Sequence, residues 1–293
     1  MHVAVRDVHL PGVFGTIKAG LDAMGIEAVE LNYERDRSVV SLDTAVAGAK
    51  ESLADQHAID HFAYKCKGLK IRPSSLLLNN NFGADDIKAE LDWVISAVRA
   101  AGQLGIKAIR IDAAMSTQNE WTLEKRTSHF ADCMKQVLDA THDLNVSLGI
   151  ENHGHKGNEQ AFLDTVIDSV KSPRVGITLD TGNFYWFGLP LSKVYETIKH
   201  FAPKVKHTHI KSISYPADQR EVQRQVGWEY GKYCSPLREG DIDFGRIIRM
   251  LKDAKYTGDL CIENESLGRY DKDKQKAILI DDAAYIREKL KTS

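Results

Sequence analysis

No apolar run in this 293-residue chain approaches the roughly 20 residues of a membrane-spanning helix, so a helical membrane protein is excluded and no membrane partner is expected. The opening MHVAVRDVHLPG lacks the charged, apolar and cleavable sections of a secretory leader, and a cytoplasmic address is the expectation. Cysteine is scarce: Cys66, Cys133, Cys234 and Cys261 stand far apart, with neither redox-pair nor zinc-finger spacing, and are expected to be reduced thiols that pack. Neither sign of charge dominates. With 39 Lys and Arg against 41 Asp and Glu, there is no positive field to hold a phosphate backbone, so nucleic acid is not an expected partner. Only seven prolines and no biased tract leave little sign of disorder, and 43% hydrophobic residues suffice for a full core.

What is present is alternation. Short β-rich runs, HVAVRD (2–7), EAVELN (27–32), SSLLLNN (74–80), KAIRID (107–112), VSLGIEN (146–152), VGITLD (175–180), VKHTHI (205–210) and LCIEN (260–264), are separated by segments of helical period. Those helices are expected at about 14–24, 42–55, 84–103, 121–143, 158–170, 190–201, 243–254 and 271–291, while 56–73 reads as irregular. Asp85 and Asp86 suit a first helical turn, and Gly105 suits a helix end. Eight strand-helix units without a linker predict an α/β protein, a single closed (β/α)8 barrel over residues 1–293, with an open doubly wound sheet as the alternative. A long connection from about 211 to 243, carrying Tyr215, Trp228, Tyr230, Tyr233 and Arg238, follows the seventh strand and is a candidate binding loop.

In such barrels chemistry gathers at the C-terminal strand ends. Strand five ends in GIEN with Glu151, strand six in ITLD with Asp180, strand seven in HTHI with His209 and strand eight in CIEN with Glu263. One such residue would be a cap or a solvated turn, but four consecutive strands ending in metal-ligand types point to one shared divalent ion. Oxygen-rich ligation with one nitrogen suits Mg²⁺ or Mn²⁺ and leaves Co²⁺ and Zn²⁺ open. His207 and Glu265 share faces with His209 and Glu263; His207 is expected a layer deeper, as a hydrogen-bonded core histidine, and Glu265 beyond the strand, solvated.

The motifs GIENHG, LDTGN, VKHTHIK and GDLCIENE, with PLREGDIDFGRIIRMLKDAKYTGDL, resemble the sugar phosphate isomerase/epimerase superfamily with its xylose-isomerase-like TIM barrel. The resemblance implies that Glu151, Asp180, His209 and Glu263 hold one divalent metal. It also implies isomerisation or epimerisation of a sugar by proton transfer beside a carbonyl through a metal-stabilised enediolate, or dehydration of a keto-polyol such as an inosose. Glu151 and Glu263 would be the acid–base pair, flanking the substrate from two strands. His153, in the ENH triplet, is expected at the substrate, with Asn183 and Lys211 as further polar contacts and Trp186 as an apolar wall; His155 and Lys156 are open.

The pattern also departs from parts of that superfamily. Asn183 stands where ketose 3-epimerases and abasic-site endonucleases carry histidine, and Tyr215 stands where the 3-epimerases place arginine. An endonuclease would further need histidines that LLLNNNFG and RIDAAM do not offer. A non-catalytic sugar-binding barrel is the other alternative, and the opposed Glu151 and Glu263 argue against it. The expected partner is a small sugar, polyol or keto-sugar; no phosphate cradle implies a phosphorylated one, and a homo-oligomer is compatible with the amphipathic helices.

Overall fold

The computed structural model describes residues 1–116 and 121–293. Eight parallel strands, β1 (His2–Arg6), β2 (Ala28–Asn32), β3 (Arg72–Leu78), β4 (Ala108–Ile111), β5 (Ser147–Glu151), β6 (Val175–Asp180), β7 (Val205–Ile210) and β8 (Asp259–Ile262), pair in sequence order. β8 also pairs with β1, from His2 opposite Asp259 to Val5 opposite Ile262, so the sheet closes and the open-sheet alternative is excluded. Every strand lies within a residue or two of its expected place.

Among the described residues, eight principal helices cover the barrel: α1 (Ile17–Met24), α2 (Gln56–Leu69), α3 (Ile87–Gln103), α4 (Leu123–Ala140), α5 (Gln160–Val170), α6 (Leu191–Phe201), α7 (Phe244–Asp253) and α8 (Lys272–Thr292). Six begin at a side-chain cap, Thr16, Asp55, Asp86, Thr122, Asp243 or Asp271, each accepting from the backbone N–H three residues on. Asp86 is thus the cap of α3, and Asp85 precedes the helix rather than lying in its first turn. Gly105, past the end of α3, has φ +72° as expected of a helix terminator. Among the described residues no helix is long and apolar enough to cross a membrane, and all four cysteines are free and buried.

The helix expected at 42–55 is not formed, and the stretch expected to be irregular holds α2 instead. Residues 43–48 are exposed and have no neighbour on which to bury an alanine face, and Ser38–Val40 and Lys50–Ser52 pair as an antiparallel hairpin. The helix starts after Asp55, which caps it through Ala58 N–H at 2.9 Å, and buries Ile59, Phe62 and Cys66 at spacings of three and four.

Strand alternation divides each strand between two environments. Val3, Val5, Val29, Leu31, Ile109, Ile111, Leu148, Ile150, Ile177, Leu179, Leu260 and Ile262 belong to the large apolar cluster shared with the helices. Ala4, Ala28 and Cys261, register partners on β1, β2 and β8, form a small cluster of their own. The Cys261 Sγ lies 3.8 Å from Glu30 Oε2, which places this layer inside the barrel. Two residues further along the same strands stand Arg6, Glu30 and Glu263, so small side chains below make room for charged ones above.

Candidate metal centre

Glu151, Asp180, His209 and Glu263 converge at the C-terminal mouth. Each offers one ligand atom, and these atoms all lie within 4.8 Å of one another. The register explains the convergence: Asp180 on β6 is opposite His209 on β7, and His209 is opposite Cys261, two positions before Glu263. Glu263 itself lies just past β8 and is held by its N–H on the Ile210 carbonyl at 3.1 Å. All four side chains are buried.

Crowding three carboxylates in low dielectric demands compensation. Arg110, from β4, donates through Nε and Nη2 to Glu151 Oε2, and Arg6, from β1, donates to Glu263 Oε1. The Lys211 ammonium lies 3.0 Å from Asp180 Oδ2 and 3.3 Å from Glu263 Oε2. Burial pushes the Asp180 carboxyl up; Lys211 opposes this, Glu263 and Glu151 reinforce it, and the outcome is about 7. Burial acts the same way on Glu151, yet Arg110 and His209 hold that carboxyl below the usual range. Glu263 is likewise held well below it, by Lys211, His209 and Arg6 against burial.

The donor set fits a divalent cation. Asp180 Oδ2 and Glu263 Oε2 are buried and accept no well-aligned hydrogen bond, facing the Lys211 ammonium at 3.0 and 3.3 Å, so both retain lone pairs for a cation. His209 Nδ1 faces the same centre, 3.1 Å from Glu151 Oε1 and 3.4 Å from Glu263 Oε2. Three carboxylates and one imidazole match oxygen-preferring divalent ions and also admit zinc.

Above the cluster lies a cavity of about 170 Å³ lined by His153, Gly154, Asn183, Trp186, Lys211, Tyr230 and Glu265. All four side chains expected at the substrate are therefore on its wall. Asn183 accepts from Lys211 Nζ at 3.3 Å and takes its backbone N–H to Asp180 Oδ1 at 2.8 Å. His153 meets Asp112 Oδ1 at 3.0 Å, an interaction that raises its pKa against the opposing effect of burial. His155 packs edge-on against Trp186, and Lys156 pairs with Glu159 at 3.1 Å, away from the cavity. Glu265 lies beyond β8 and is exposed, as expected, and it also lines the cavity, bonded to Lys211 at 3.0 Å and to the Tyr230 hydroxyl. A larger hollow of about 660 Å³ opens at the opposite end of the barrel and contains none of the four clustered groups.

The connection after β7 supplies part of this wall. Ser212–Ile213 and Cys234–Ser235 pair at its base, and Arg224 pins its middle. The Arg224 guanidinium donates to the Tyr185 and Leu189 carbonyls at 3.1 and 2.9 Å and lies 4.5 and 4.4 Å over the Tyr185 and Tyr215 rings. Gly188, at φ +103°, allows the approach: a Cβ there would meet the Arg224 carbonyl oxygen at 2.2 Å. Tyr215, where an arginine would mark a 3-epimerase, is fully committed to this packing.

The four ligand-type strand ends alone do not reveal Glu30 or Arg110, which lie inside their strands, while Arg6 and Asp112 stand at the ends of the first and fourth strands and were not singled out. Their signal is a charge at an inward position within an apolar strand, as in VAVR, AVELN and AIRID. His207 is, as expected, a buried and doubly hydrogen-bonded histidine one layer below His209.

Comparison with known proteins places this architecture. An inosose dehydratase of Clostridium perfringens is 31% identical over 108 residues, a match covering 35% of this chain and about a third of that enzyme's length. The IOLI protein, solved with a binding zinc atom, superposes with a TM-score of 0.71 over 98% of both chains at 15% identity. A xylose isomerase domain protein from Alicyclobacillus acidocaldarius does so with a TM-score of 0.70 over 99% of both at 16% identity. The family model described as xylose isomerase-like TIM barrel matches residues 20–289, and the chain belongs to that family.

Proposed function

We propose that this protein is a divalent-metal-dependent isomerase or epimerase of a sugar or keto-sugar, with Glu151 and Glu263 as its acid–base pair. The observation that carries the reading is the gathering of Glu151, Asp180, His209 and Glu263 within 4.8 Å beneath a cavity of sugar size. A divalent cation on these residues would supply the Lewis acidity that polarises a substrate carbonyl. Mn²⁺ or Mg²⁺ suits the oxygen-rich set best.

The protein's own groups perform the rest. Glu151, at the end of β5, and Glu263, just past β8, lie beneath the cavity and would flank a ketose bound over the four clustered groups. One carboxylate takes the proton from the carbon beside the carbonyl; for isomerisation the same carboxyl hands it to the adjacent carbon, and for epimerisation the opposed glutamate, first protonated from solvent, delivers a proton to the other face while the first gives its own up to solvent. Lys211, within reach of both Asp180 and Glu263, stabilises negative charge on the substrate oxygens, while His153 and Asn183 fix hydroxyl groups. Trp186 and Tyr230 exclude water from one side.

Dehydration of a keto-polyol is the second reading, favoured by the local similarity to an inosose dehydratase. It uses the same proton abstraction, followed by loss of a β-hydroxyl. Incubation of the Mn²⁺-loaded protein with ketoses and inososes in D₂O tests both. Solvent deuterium beside the carbonyl in recovered epimer or isomer supports the first reading, and an unsaturated product supports the second. Absence of exchange with every substrate, or exchange that survives in both Glu151→Gln and Glu263→Gln, refutes the assignment.

A further inference from the structure

Glu30 lies outside the four clustered groups yet is joined to them. It is fully buried near the C-terminal end of β2, and its Oε2 accepts from His209 Nε2 at 2.7 Å while its Oε1 accepts from His207 Nε2 at 2.8 Å. Behind it the chain of contacts continues: His207 Nδ1 meets Asp259 Oδ1 at 2.9 Å, and the Tyr256 hydroxyl donates to the same oxygen at 2.9 Å. A four-group column, Asp259, His207, Glu30 and His209, thus runs up the barrel interior and ends at the candidate metal centre.

We propose that Glu30 is a positioning residue that fixes which nitrogen of His209 meets the metal. The inference rests on the metal-centre reading above and deepens it. An ionised carboxylate can only accept, so both imidazoles that face it donate from Nε2. With one proton held on Nε2 by Glu30, the nitrogen left for a cation is Nδ1, whose proton faces Glu151 Oε1 at 3.1 Å and is the one a metal displaces on the side where Glu151, Asp180 and Glu263 converge. His207 donates to carboxylates from both of its nitrogens, so it clamps Glu30 from behind and prevents it from rotating towards Arg6, whose Nε lies 3.7 Å from Glu30 Oε2. The small layer of Ala4, Ala28 and Cys261 gives the column its space.

Replacement of Glu30 by leucine keeps similar volume and removes the acceptor, leaving the His209 proton free to occupy either nitrogen. Glutamine preserves one acceptor and is the conservative partner. The test is Co²⁺ binding to purified wild-type, Glu30→Gln and Glu30→Leu proteins, followed by calorimetry and by the visible absorption of the bound ion, with folding checked by circular dichroism. The expected result is an affinity about 10- to 100-fold lower for Glu30→Leu, with an altered Co²⁺ spectrum, and a smaller loss for Glu30→Gln. A purely structural role would lower the melting temperature without changing the affinity or spectrum of the folded fraction. Wild-type affinity and spectrum in a folded Glu30→Leu protein would overturn the proposal. Should that variant not fold, the same result in Glu30→Gln would do so. A wild-type protein that binds no Co²⁺ would instead remove the metal centre itself, and this inference with it.

Discussion

Arg110 on β4 stands opposite Gly149 and reaches up to Glu151, two residues further along β5, where its guanidinium grips a single carboxylate oxygen, Oε2, through Nε and Nη2, leaving Oε1 turned towards His209. The arginine therefore both neutralises Glu151 and selects which oxygen faces the centre of the barrel. In an Arg110→Met protein, Glu151 becomes an uncompensated buried charge, and the loss of stability without metal is about 3–5 kcal/mol. Bound Mn²⁺ supplies replacement charge, so the loss is smaller when metal saturates the protein. Urea unfolding of both proteins with and without Mn²⁺ checks this; equal losses in the two conditions would contradict it.

Metal binding should stabilise the native state by mass action, since the ligands converge only when the barrel is closed. At a free Mn²⁺ concentration about 100 times Kd the gain is about 2.7 kcal/mol, read as a rise in Tm that EDTA reverses. Asp180→Ala removes one ligand and should abolish most of the rise. A Tm indifferent to Mn²⁺ in the unaltered protein would count against the centre.

Acid should release the metal. The Asp180 carboxyl keeps its proton up to about pH 7 because burial disfavours its charge, and the His209 pKa is raised well above its ordinary value, with Glu30, Glu263 and Glu151 outweighing burial. Both protons must leave for ligation, so affinity falls by about tenfold per pH unit below the raised pKa of His209, and by about a further tenfold per unit once pH drops through 7 and Asp180 is protonated too. Calorimetric titration with Mn²⁺ at pH 6 and pH 8, in buffers of different ionisation enthalpy, counts those protons. An affinity independent of pH would contradict the assignment of these two groups as ligands.

Arg224 should govern the cavity wall rather than the barrel. Arg224→Ala removes four carbonyl contacts, to Tyr185, Leu189, Gln219 and Val222, and two ring contacts from the connection that carries Tyr230. Proteolysis within 214–233 should accelerate, and KM for the substrate should rise about tenfold or more, while the far-ultraviolet circular dichroism is unchanged. Unchanged cleavage and KM would show that the loop is held elsewhere.

The barrel was legible because its strands alternate with amphipathic segments, and the four convergent residues were legible because each ends an apolar run. The hairpin at 38–52 was not, because the alanine-rich stretch at 45–49 suits a helix by composition, and only the exposure of residues 43–48 in the fold reveals that no partner face exists. Asp55 was the overlooked boundary, an N-cap that starts α2 where the apolar spacing of Ile59, Phe62 and Cys66 begins. Glu30 was missed for another reason. Its neighbours in AVELN are apolar, and only the arrival of His207 and His209 from β7, 177 and 179 positions away, gives a buried carboxylate its partners.

The separation of the large apolar cluster from the three-residue layer of Ala4, Ala28 and Cys261 has a consequence for how this scaffold can change. Cohesion resides in the jacket between sheet and helices, whereas the four clustered ligand-type side chains lie at the mouth of the lumen. Replacements along the inner wall can thus retune chemistry while the outer packing goes on holding the cylinder shut, so that one architecture can be refitted for new substrates without first being rebuilt.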